Sequence, residues 1–256
     1  MSIAPTGGFV QLSIIIPTFN EAARIGATLD SVAIYLSTLP LRSEIIVVDD
    51  GSSDQTTSFV RARMSEMENL QLLELSQNCG KGTAVCRGML SAKGQYRLFM
   101  DADNSTSVEQ FDKLLAFLDA GIPVVVGSRT ARGASIRIPQ PLPRRLAGWI
   151  FRTTVRVGFA LPVTDTQNGF KAFSAKAADE IFSRVATKRW AFDVETLVLA
   201  KHLDLVILEV PVDWRNDRES HMTVWQALVM GVDLVKIAWR IALLRTETVT
   251  RSVLFG

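Results

Sequence analysis

The chain has 256 residues, of which 48% are hydrophobic and 21% are charged, and its formal net charge at pH 7 is +2. This composition excludes a disordered chain, and the nearly balanced charge argues against a nucleic-acid-binding protein. The length suffices for one large domain or two small ones. Two cysteines, Cys79 and Cys86, are too few for a disulfide framework, which fits the reducing cytoplasm. No histidine lies beside them, which argues against a zinc site.

Residues 1–20 contain no charged side chain, so they require a check for a targeting or membrane segment. Proline, glycine and polar residues interrupt this stretch, and no basic residue precedes it. It therefore predicts a short tail followed by a strand. No uncharged apolar run in the sequence reaches the roughly 20 residues that a spanning helix needs. We expect a chain that does not cross a membrane.

The first half of the chain alternates predicted strands with predicted helices. Short, nearly continuous apolar runs are typical of buried parallel strands, and each is followed by apolar residues at helical spacing. This alternation predicts a parallel sheet with right-handed crossovers. The predicted strands are residues 12–16, 44–48, 70–75 and 96–100.

Polar or glycine-rich loops follow the predicted strands. Ligands bind beyond the carboxyl ends of the strands in sheets of this type, so we expect these loops to meet at one crevice. Carboxylates accept hydrogen bonds from a base or a ribose, glycines let the backbone approach a phosphate, and Lys81 supplies a positive charge. Each loop is ordinary by itself, but together they predict a nucleotide site. The loops contain Asn20-Glu21, Asp49-Asp50, Gly80-Lys81-Gly82 and Asp101-Ala102-Asp103.

The fourth strand ends in two acidic residues, Asp101 and Asp103. Side chains at positions i and i+2 of an extended chain point to the same side. Mg²⁺ is usually bound by one or two carboxylates together with substrate phosphates. Acidic pairs of this kind also occur by chance in the polar turn after a strand. With the surrounding loops, the pair predicts a divalent cation that binds substrate phosphates.

Residues 14–21 read IIIPTFNE, residues 45–54 read IIVVDDGSSD, and residues 101–103 read DAD. In this order and spacing they resemble the large family of inverting GT-A glycosyltransferases that use nucleotide sugars. The resemblance implies an α/β fold of GT-A type, with a mostly parallel central sheet flanked by helices. It implies Mg²⁺ or Mn²⁺ on Asp101 and Asp103, at the donor diphosphate. The implied nucleotide-sugar contacts are Pro17, Phe19, Glu21, Val47, Asp49, Asp50, Asp101 and Ala102, in addition to Lys81.

The second half contains a loop and a basic helix. Residues 132–143 are too rich in proline and glycine for regular structure, and a loop of this length is usually functional or mobile. Residues 146–159 predict a helix with Arg145, Arg152 and Arg156 on one face. This face is either an ordinary solvated surface or a surface for anionic lipid or a lipid phosphate.

Three more segments narrow the resemblance: GSR at residues 127–129, TDTQNGFKAF at residues 164–173, and KRWAFDVE at residues 188–195. They resemble the branch that transfers a sugar to a polyprenyl phosphate, above all the dolichyl-phosphate β-glucosyltransferases and more distantly the dolichyl-phosphate mannose synthases. The resemblance extends from about residue 12 to about residue 244. It implies transfer of a hexose, with UDP-glucose favoured as donor. It also implies that the lipid phosphate is bound by Arg129 with Arg144 or Arg145.

The chemistry of a phosphate acceptor agrees with this interpretation. A phosphate oxygen is already anionic at pH 7, so no strong general base is needed. The enzyme must instead bring two anionic groups together, with a metal ion on one and guanidinium groups on the other. Asp193 is a candidate catalytic residue, and both Asp193 and Glu195 are candidates for orienting sugar hydroxyls, or for a base if the acceptor were an alcohol. Asp193 is equally compatible with a structural pair with Arg189 or Lys171.

One segment departs from the family pattern. After its last strand the family usually has Gly-x-Ser-Lys, and the lysine reaches the donor diphosphate. This chain reads RNDRESHM at residues 215–222, with His221 where the lysine would lie. We expect Arg215, Arg218 or a protonated His221 to supply the charge.

The last predicted helix is amphipathic, so it packs on the core or a dimer partner, or lies in the plane of a membrane. Relatives often carry transmembrane segments. Since this sequence shows none, we expect peripheral contact with the cytoplasmic face of a membrane, directly or through a partner, and a homo-oligomer is left open. The expected organisation is one catalytic domain over residues 1–245, with a nucleotide-binding half (12–128), an acceptor-binding half (129–222) and the amphipathic helix (223–245), followed by a tail (246–256).

Two alternatives remain open at this point. The first keeps the fold and changes the acceptor to a saccharide or small alcohol, which requires a base such as Asp193. The second is a non-catalytic nucleotide-sugar-binding scaffold recruited to membranes by its basic helices. Asp101 and Asp103 argue against the scaffold, because binding alone does not need a metal. Nucleotidyltransferases are disfavoured because no glycine-rich loop follows the first strand.

Overall fold

The computed structural model describes residues 9–136, 142–215 and 230–243. Within these ranges the chain forms a seven-stranded sheet, with helices on both faces, and a separate two-stranded sheet. The strands are β1 (Leu12–Thr18), β2 (Ser43–Asp49), β3 (Leu70–Glu74), β4 (Tyr96–Met100), β5 (Val124–Ser128), β6 (Ser135–Ile136), β7 (Phe170–Ser174), β8 (Ile207–Pro211) and β9 (Asp213–Trp214). The helices are α1 (Ile25–Thr38), α2 (Thr56–Met64), α3 (Lys81–Ser91), α4 (Phe111–Asp119), α5 (Leu142–Phe159), α6 (Ala175–Phe182), α7 (Phe192–His202) and α8 (230–243).

The strand order of the large sheet is β3-β2-β1-β4-β7-β5-β8. All neighbouring strands are parallel except β7, which runs antiparallel to both β4 and β5. The prediction of a mostly parallel sheet is therefore confirmed. The strand order reverses between β1 and β4, and such reversals are where ligands bind in open α/β sheets.

The alternating pattern did not predict β7 as a strand. Its sequence, FKAFS, contains Lys171 in the middle of four apolar or small residues. A lysine is rarely buried without a partner, so the pattern favours a polar segment there. In the structure the Lys171 side chain is completely buried and bonded to Asp193 of α7.

Hydrophobic clusters cover both faces of the large sheet. Every residue of β1 is buried, and its isoleucines alternate between the faces: Ile14 and Ile16 pack in one cluster and Ile15 in the other. One cluster contains buried residues of α1, α2 and α4, and the other contains those of α3, α6 and α7. The continuous apolar runs arise from this two-sided covering.

Helices α5 and α8 pack on the second cluster by one face each and leave apolar residues outside. Val155 of α5 and the α8 residues Met230, Ile237 and Ile241 are buried in it. The exposed large apolar side chains of these two helices are Trp149, Ile150, Val157, Val232, Val235, Trp239 and Leu243. None of the helices in the described ranges is both long and apolar enough to span a membrane.

Gly88 allows α3 to approach the sheet closely. A Cβ atom at this position would lie 2.4 Å from Cγ2 of Ile15 and 3.0 Å from Cγ2 of Val48, both buried. Gly88→Ala should therefore lower the free energy of unfolding by about 1–3 kcal/mol through overpacking. Equilibrium unfolding in urea measures this change.

Gly26 of α1 is the matched control, because a Cβ atom there meets nothing within 4 Å. Gly26→Ala should leave the protein equally stable, or raise its free energy of unfolding by up to about 1 kcal/mol, since alanine favours the helix. Equal stabilisation by the two substitutions would contradict the close packing inferred for Gly88.

Candidate active site

Hydrogen bonds tie together the loops that follow β1, β2, β3 and β4. The backbone N–H of Asn20, after β1, donates to Oγ of Ser52, after β2, at 2.9 Å. Oγ1 of Thr28, on α1, donates to the carbonyl oxygen of Ala102, after β4, at 2.6 Å. The structure thus brings the predicted loops to one edge of the sheet.

Asp49 and Asp50 organise these loops with their carboxylates. Asp49 accepts hydrogen bonds from the backbone N–H and the hydroxyl of Ser52, at 2.9 and 2.5 Å. Asp50 accepts from the backbone N–H groups of Cys79 and Gly80, at 2.7 and 2.8 Å. Both residues are almost completely buried. They position the strand-end loops, a function that the sequence did not distinguish from nucleotide contact.

The remaining predicted nucleotide contacts differ in accessibility. Phe19 is half-exposed, and Glu21 is partly buried and paired with Arg24 at 2.7 Å. Burial raises the pKa of Glu21, although Arg24 acts in the opposite direction. Pro17 is buried. The side chain of Val47 is completely buried in the hydrophobic cluster beside α1, and a contact between Val47 and a nucleotide stays a prediction.

Lys81, Asp101 and Asp103 form a charged group at the end of β4. Lys81, the first residue of α3, places its Nζ 2.5 Å from Oδ1 of Asp101 and 5.5 Å from the ring centroid of Trp190. Burial lowers the pKa of Lys81, but the charges of Asp101 and Asp193 raise it by more. Burial raises the pKa of Asp103, and the neighbouring Asp101 raises it further.

The surroundings of Asp101 fit a divalent cation with phosphate ligands. The Lys81 ammonium already provides a positive charge at this carboxylate. A Cβ atom at residue 169 would lie 2.1 Å from Oδ2 of Asp101, so only Gly169 leaves room for the carboxylate. The described ranges contain no group of three or more His, Cys, Asp or Glu side chains arranged to hold a metal. A cation at Asp101 and Asp103 would therefore take its other ligands from water or a substrate, as Mg²⁺ commonly does.

A second charged pair lies in the interior, between Lys171 of β7 and Asp193 of α7. Lys171 Nζ donates to an Asp193 carboxylate oxygen and, at 2.6 Å, to the carbonyl oxygen of Asn168. Both side chains are almost completely buried. Burial lowers the pKa of Lys171 and raises that of Asp193. Of the two structural partners considered for Asp193, the structure shows that Lys171 is the one that binds it.

Arg129, immediately after β5, is held by Asp165. Its Nε and Nη2 atoms donate to the two carboxylate oxygens at 2.8 Å each, and its backbone N–H donates to one of them at 2.9 Å. The guanidinium carbon lies 5.3 Å from the ring centroid of Trp214. Burial would raise the pKa of Asp165, but Arg129 outweighs this effect and the pKa is lowered.

Sequence reasoning missed Asp165 and Trp214 as partners of Arg129. Asp165 lies inside the family-like segment 164–173, which was a usable sign, whereas nothing in the sequence pairs Trp214 with residue 129.

The other predicted charges fall partly outside the described residues. Arg215 is exposed, and its backbone N–H donates to the carbonyl oxygen of Ser105 at 2.8 Å, close to Asp103 in the chain. Arg144 and Arg145 belong to α5, but their side chains are outside the described part of the structure. His221 and Arg218 also lie outside the described residues.

Comparison with known proteins shows the family of the chain. Residues 13–182 match the family model described as glycosyl transferase family 2. The dolichyl-phosphate β-glucosyltransferase of Drosophila melanogaster is 37% identical over 91% of this chain and 78% of its own length. The human protein of the same name is 33% identical over 90% of this chain and 78% of its own length.

Solved structures show the same architecture at low sequence identity. Glucosyl-3-phosphoglycerate synthase from Mycobacterium tuberculosis, in complex with Mn²⁺, UDP and glucosyl-3-phosphoglycerate, is 18% identical and has a TM-score of 0.67, covering 91% of this chain and 80% of that one. Mannosyl-3-phosphoglycerate synthase from Rubrobacter xylanophilus is 20% identical and also has a TM-score of 0.67, covering 93% and 75%. The family match and the sequence identity to curated relatives thus agree with the observed architecture: the chain belongs to glycosyl transferase family 2 and has the GT-A fold.

Proposed function

We propose that the protein is a metal-dependent hexosyltransferase that moves glucose from UDP-glucose, with inversion, to a dolichyl-type polyprenyl phosphate. One observation carries the proposal: a carboxylate pair, Asp101 and Asp103, and a guanidinium, that of Arg129, lie near each other at one edge of the sheet. The backbone N–H of Asp101 donates to the carbonyl oxygen of Gly169 at 3.1 Å, and Nδ2 of Asn168 donates to the carbonyl oxygen of Gly127 at 2.8 Å, so residues 168 and 169 join the segments of Asp101 and Arg129. The charge of Asp101 also raises the pKa of Arg129. Curated relatives 31–37% identical, all named dolichyl-phosphate β-glucosyltransferases, support the substrate assignment.

The donor is assigned to the half of the chain formed by residues 12–128. Phe19 is half-exposed beside the loop of Glu21, which suits it for contact with a base. Asp101 and Asp103 would hold Mg²⁺ or Mn²⁺, which when bound offsets the charge of the donor diphosphate. Lys81 then exchanges its bond to Asp101 for the diphosphate.

The acceptor phosphate is assigned to Arg129, in the half formed by residues 129–222. Asp165 fixes the guanidinium through Nε and Nη2 and leaves the Nη1 hydrogens for a ligand. A phosphate nucleophile needs no general base, and Asp193 is buried and bonded to Lys171. This bond between Asp193 and Lys171 favours a phosphate acceptor over an alcohol, because an alcohol would need a free base.

Membrane contact is assigned to the outer faces of α5 and α8. Trp149 and Ile150 of α5 and Val235 and Trp239 of α8 each expose more than half of their surface. Tryptophan and aliphatic side chains on amphipathic helices bind at the lipid interface. We infer that the protein lies peripherally on the cytoplasmic face of a membrane, where these exposed faces bring the site close to a lipid phosphate.

Transfer of labelled sugar from a panel of nucleotide donors into the organic phase tests the reaction. With a polyprenyl phosphate present, label should enter the lipid from UDP-glucose, and only with Mg²⁺ or Mn²⁺. Asp103→Asn should abolish this transfer because a metal carboxylate is lost, whereas Asp30→Asn, which removes a surface charge paired with Arg63, should not. Equal transfer with a chelator present would refute the metal dependence, and label only in water-soluble products would move the acceptor assignment to an alcohol.

Arg129→Lys and Asp193→Asn separate the two kinds of acceptor. Lysine lacks the bidentate geometry, so Arg129→Lys should raise the KM for the lipid phosphate about tenfold or more and leave the KM for the donor unchanged.

Asp193→Asn, combined with Lys171→Gln so that no buried charge is left alone, should keep most of kcat in the folded protein. A loss of about 10²-fold or more in this double variant, with donor binding intact, would identify Asp193 as a base.

Lys81→Met tests the exchange of Lys81 between Asp101 and the diphosphate. Without nucleotide, Mn²⁺ should bind the variant more tightly than the wild type, because no ammonium competes for Asp101. With Mn²⁺ present, UDP should bind the variant more weakly, because a charge on the diphosphate is lost. Isothermal titration calorimetry measures both affinities, with the exposed Lys176→Met as control. Weaker Mn²⁺ binding by the variant without nucleotide would contradict the exchange.

A further inference from the structure

A network of hydrogen bonds connects helix α8 with the segment that precedes helix α7. At its centre is Glu195 of α7, whose side chain is almost completely buried. Its Oε1 atom accepts a hydrogen bond from Nη1 of Arg240, on α8. Its Oε2 atom accepts from the backbone N–H groups of Ala186 and Thr187, at 3.1 and 2.7 Å. One carboxylate therefore holds α8 and this segment together.

Arg240 also contacts the segment directly. Its Nη2 atom donates to the carbonyl oxygen of Arg184 at 2.9 Å, two residues before the first backbone group that Glu195 binds. The two bonds of Arg240 use different nitrogen atoms of one planar guanidinium, so together they fix its orientation. Residues 184–190 are thus attached to α8 at two points.

The 184–190 segment packs against the Gly80-Lys81-Gly82 turn at the start of α3. A Cβ atom at residue 80 would lie 2.4 Å from the carbonyl oxygen of Lys188, and one at residue 82 would lie 2.4 Å from that of Thr187. The carbonyl oxygen of Lys188 also accepts from the backbone N–H of Thr83 at 3.2 Å. The two glycines therefore leave room for this segment on either side of the lysine, a contact that the sequence did not show.

The end of the same segment reaches the charged group at the end of β4. The ring centroid of Trp190 lies 5.5 Å from Nζ of Lys81, and that Nζ atom lies 2.5 Å from Oδ1 of Asp101. The 184–190 segment thus touches both the backbone around Lys81 and its ammonium group. The position of this ammonium therefore depends on how firmly the segment is held.

We propose that Arg240 is a positioning residue for the donor site: through Glu195 it fixes the 184–190 segment, which in turn fixes Lys81. This inference rests on the proposed function, because Lys81 is assigned there to the donor diphosphate. Without Arg240, the buried Glu195 carboxylate loses its cation, which is costly, so the segment should shift to expose the carboxylate to water. Helix α8, whose outer face is assigned to the membrane, also supports the donor site by its inner face.

Arg240→Gln tests this inference, with Lys236→Gln as the matched control. Lys236 lies one turn earlier on α8, is exposed, and pairs with Asp233 of the same helix at 3.5 Å. Calorimetric titration with UDP in the presence of Mn²⁺ should show about three- to tenfold weaker binding by Arg240→Gln, and a change of less than twofold in Lys236→Gln. Equal UDP binding by Arg240→Gln and the wild type would overturn the inference.

Steady-state kinetics separates positioning from a general loss of stability. A smaller folded fraction lowers the apparent kcat and leaves both KM values unchanged. Arg240→Gln should raise the KM for UDP-glucose about three- to tenfold and leave unchanged the KM for a short-chain isoprenyl phosphate, assayed in buffer without membranes. A lower kcat alone, or equal increases in the two KM values, would contradict the positioning of the donor site.

A double-mutant cycle with Lys81→Met tests the route of the effect. If Arg240 acts through Lys81, the substitution Arg240→Gln should weaken UDP binding by less than twofold in the Lys81→Met background. Additive losses in the double variant would show that Arg240 acts independently of Lys81, and would overturn the inference.

Hydrogen exchange separates this inference from the proposed reaction, since it needs neither nucleotide nor acceptor. The backbone N–H groups of Thr187 and Thr83 should exchange faster in Arg240→Gln than in the wild type or Lys236→Gln. If no sugar is transferred, but these groups exchange faster and UDP binds more weakly in Arg240→Gln, the reaction is wrong and the inference stands. If transfer occurs and neither exchange nor UDP binding changes, the inference is wrong and the reaction stands. Failure of the wild type to bind UDP would overturn both.

Discussion

The compensation of buried charge is the constraint on which this sheet edge depends. Asp50, Asp165 and Glu195 are all almost completely buried, where an unpaired carboxylate is costly. Each is matched by donors from a different segment. Asp50 holds the backbone before α3, Asp165 holds Arg129, and Glu195 accepts from the backbone N–H groups of Ala186 and Thr187. The bonds that stabilise these charges also fix the loops, so loop positions and electrostatics are determined together.

Above these buried charges, the site has two parts of opposite charge. Beneath both parts, Lys171 and Asp193 neutralise each other in the interior. On one side, Asp101 and Asp103 accumulate negative charge that Lys81 partly offsets. On the other side, Asp165 holds the Arg129 guanidinium through Nε and Nη2 and leaves the Nη1 hydrogens for a ligand. A protein that brings two phosphates together needs this division, because each phosphate must meet a separate source of positive charge.

Much of this arrangement could be predicted from the sequence, since buried parallel strands and their polar ends leave a strong pattern. The first four strands, the loop positions and the acidic pair Asp101 and Asp103 all follow from it. Individual side chains were harder to place. Val47 belongs to the same motif as Asp49, but it faces the core, and a motif does not show which of its members faces a ligand. The carboxylates of Asp49 and Asp50 resemble ligand contacts in sequence, although their oxygens bind neighbouring loops.

The three arginines of α5 show the same limit of prediction from sequence. Helical periodicity places Arg145, Arg152 and Arg156 on one face and gives no reason to separate them. The structure separates Arg152 from Arg156, because Arg152 is partly buried with Nη1 close to Gly148, whereas Arg156 is exposed. Contacts between segments far apart in the chain have no local pattern. The pairing of Arg129 with Asp165 was therefore not visible until the fold was known.

Pairing within the core also bears on the choice of acceptor. An alcohol nucleophile needs a carboxylate that is free to take a proton, but Asp193 is bound to Lys171 and shielded from water. A phosphate nucleophile removes that need, so the carboxylate remains available to neutralise a buried lysine. Helix α5 exposes Trp149 and Ile150 on its outer side, which suits it to contact with the apolar part of a lipid phosphate.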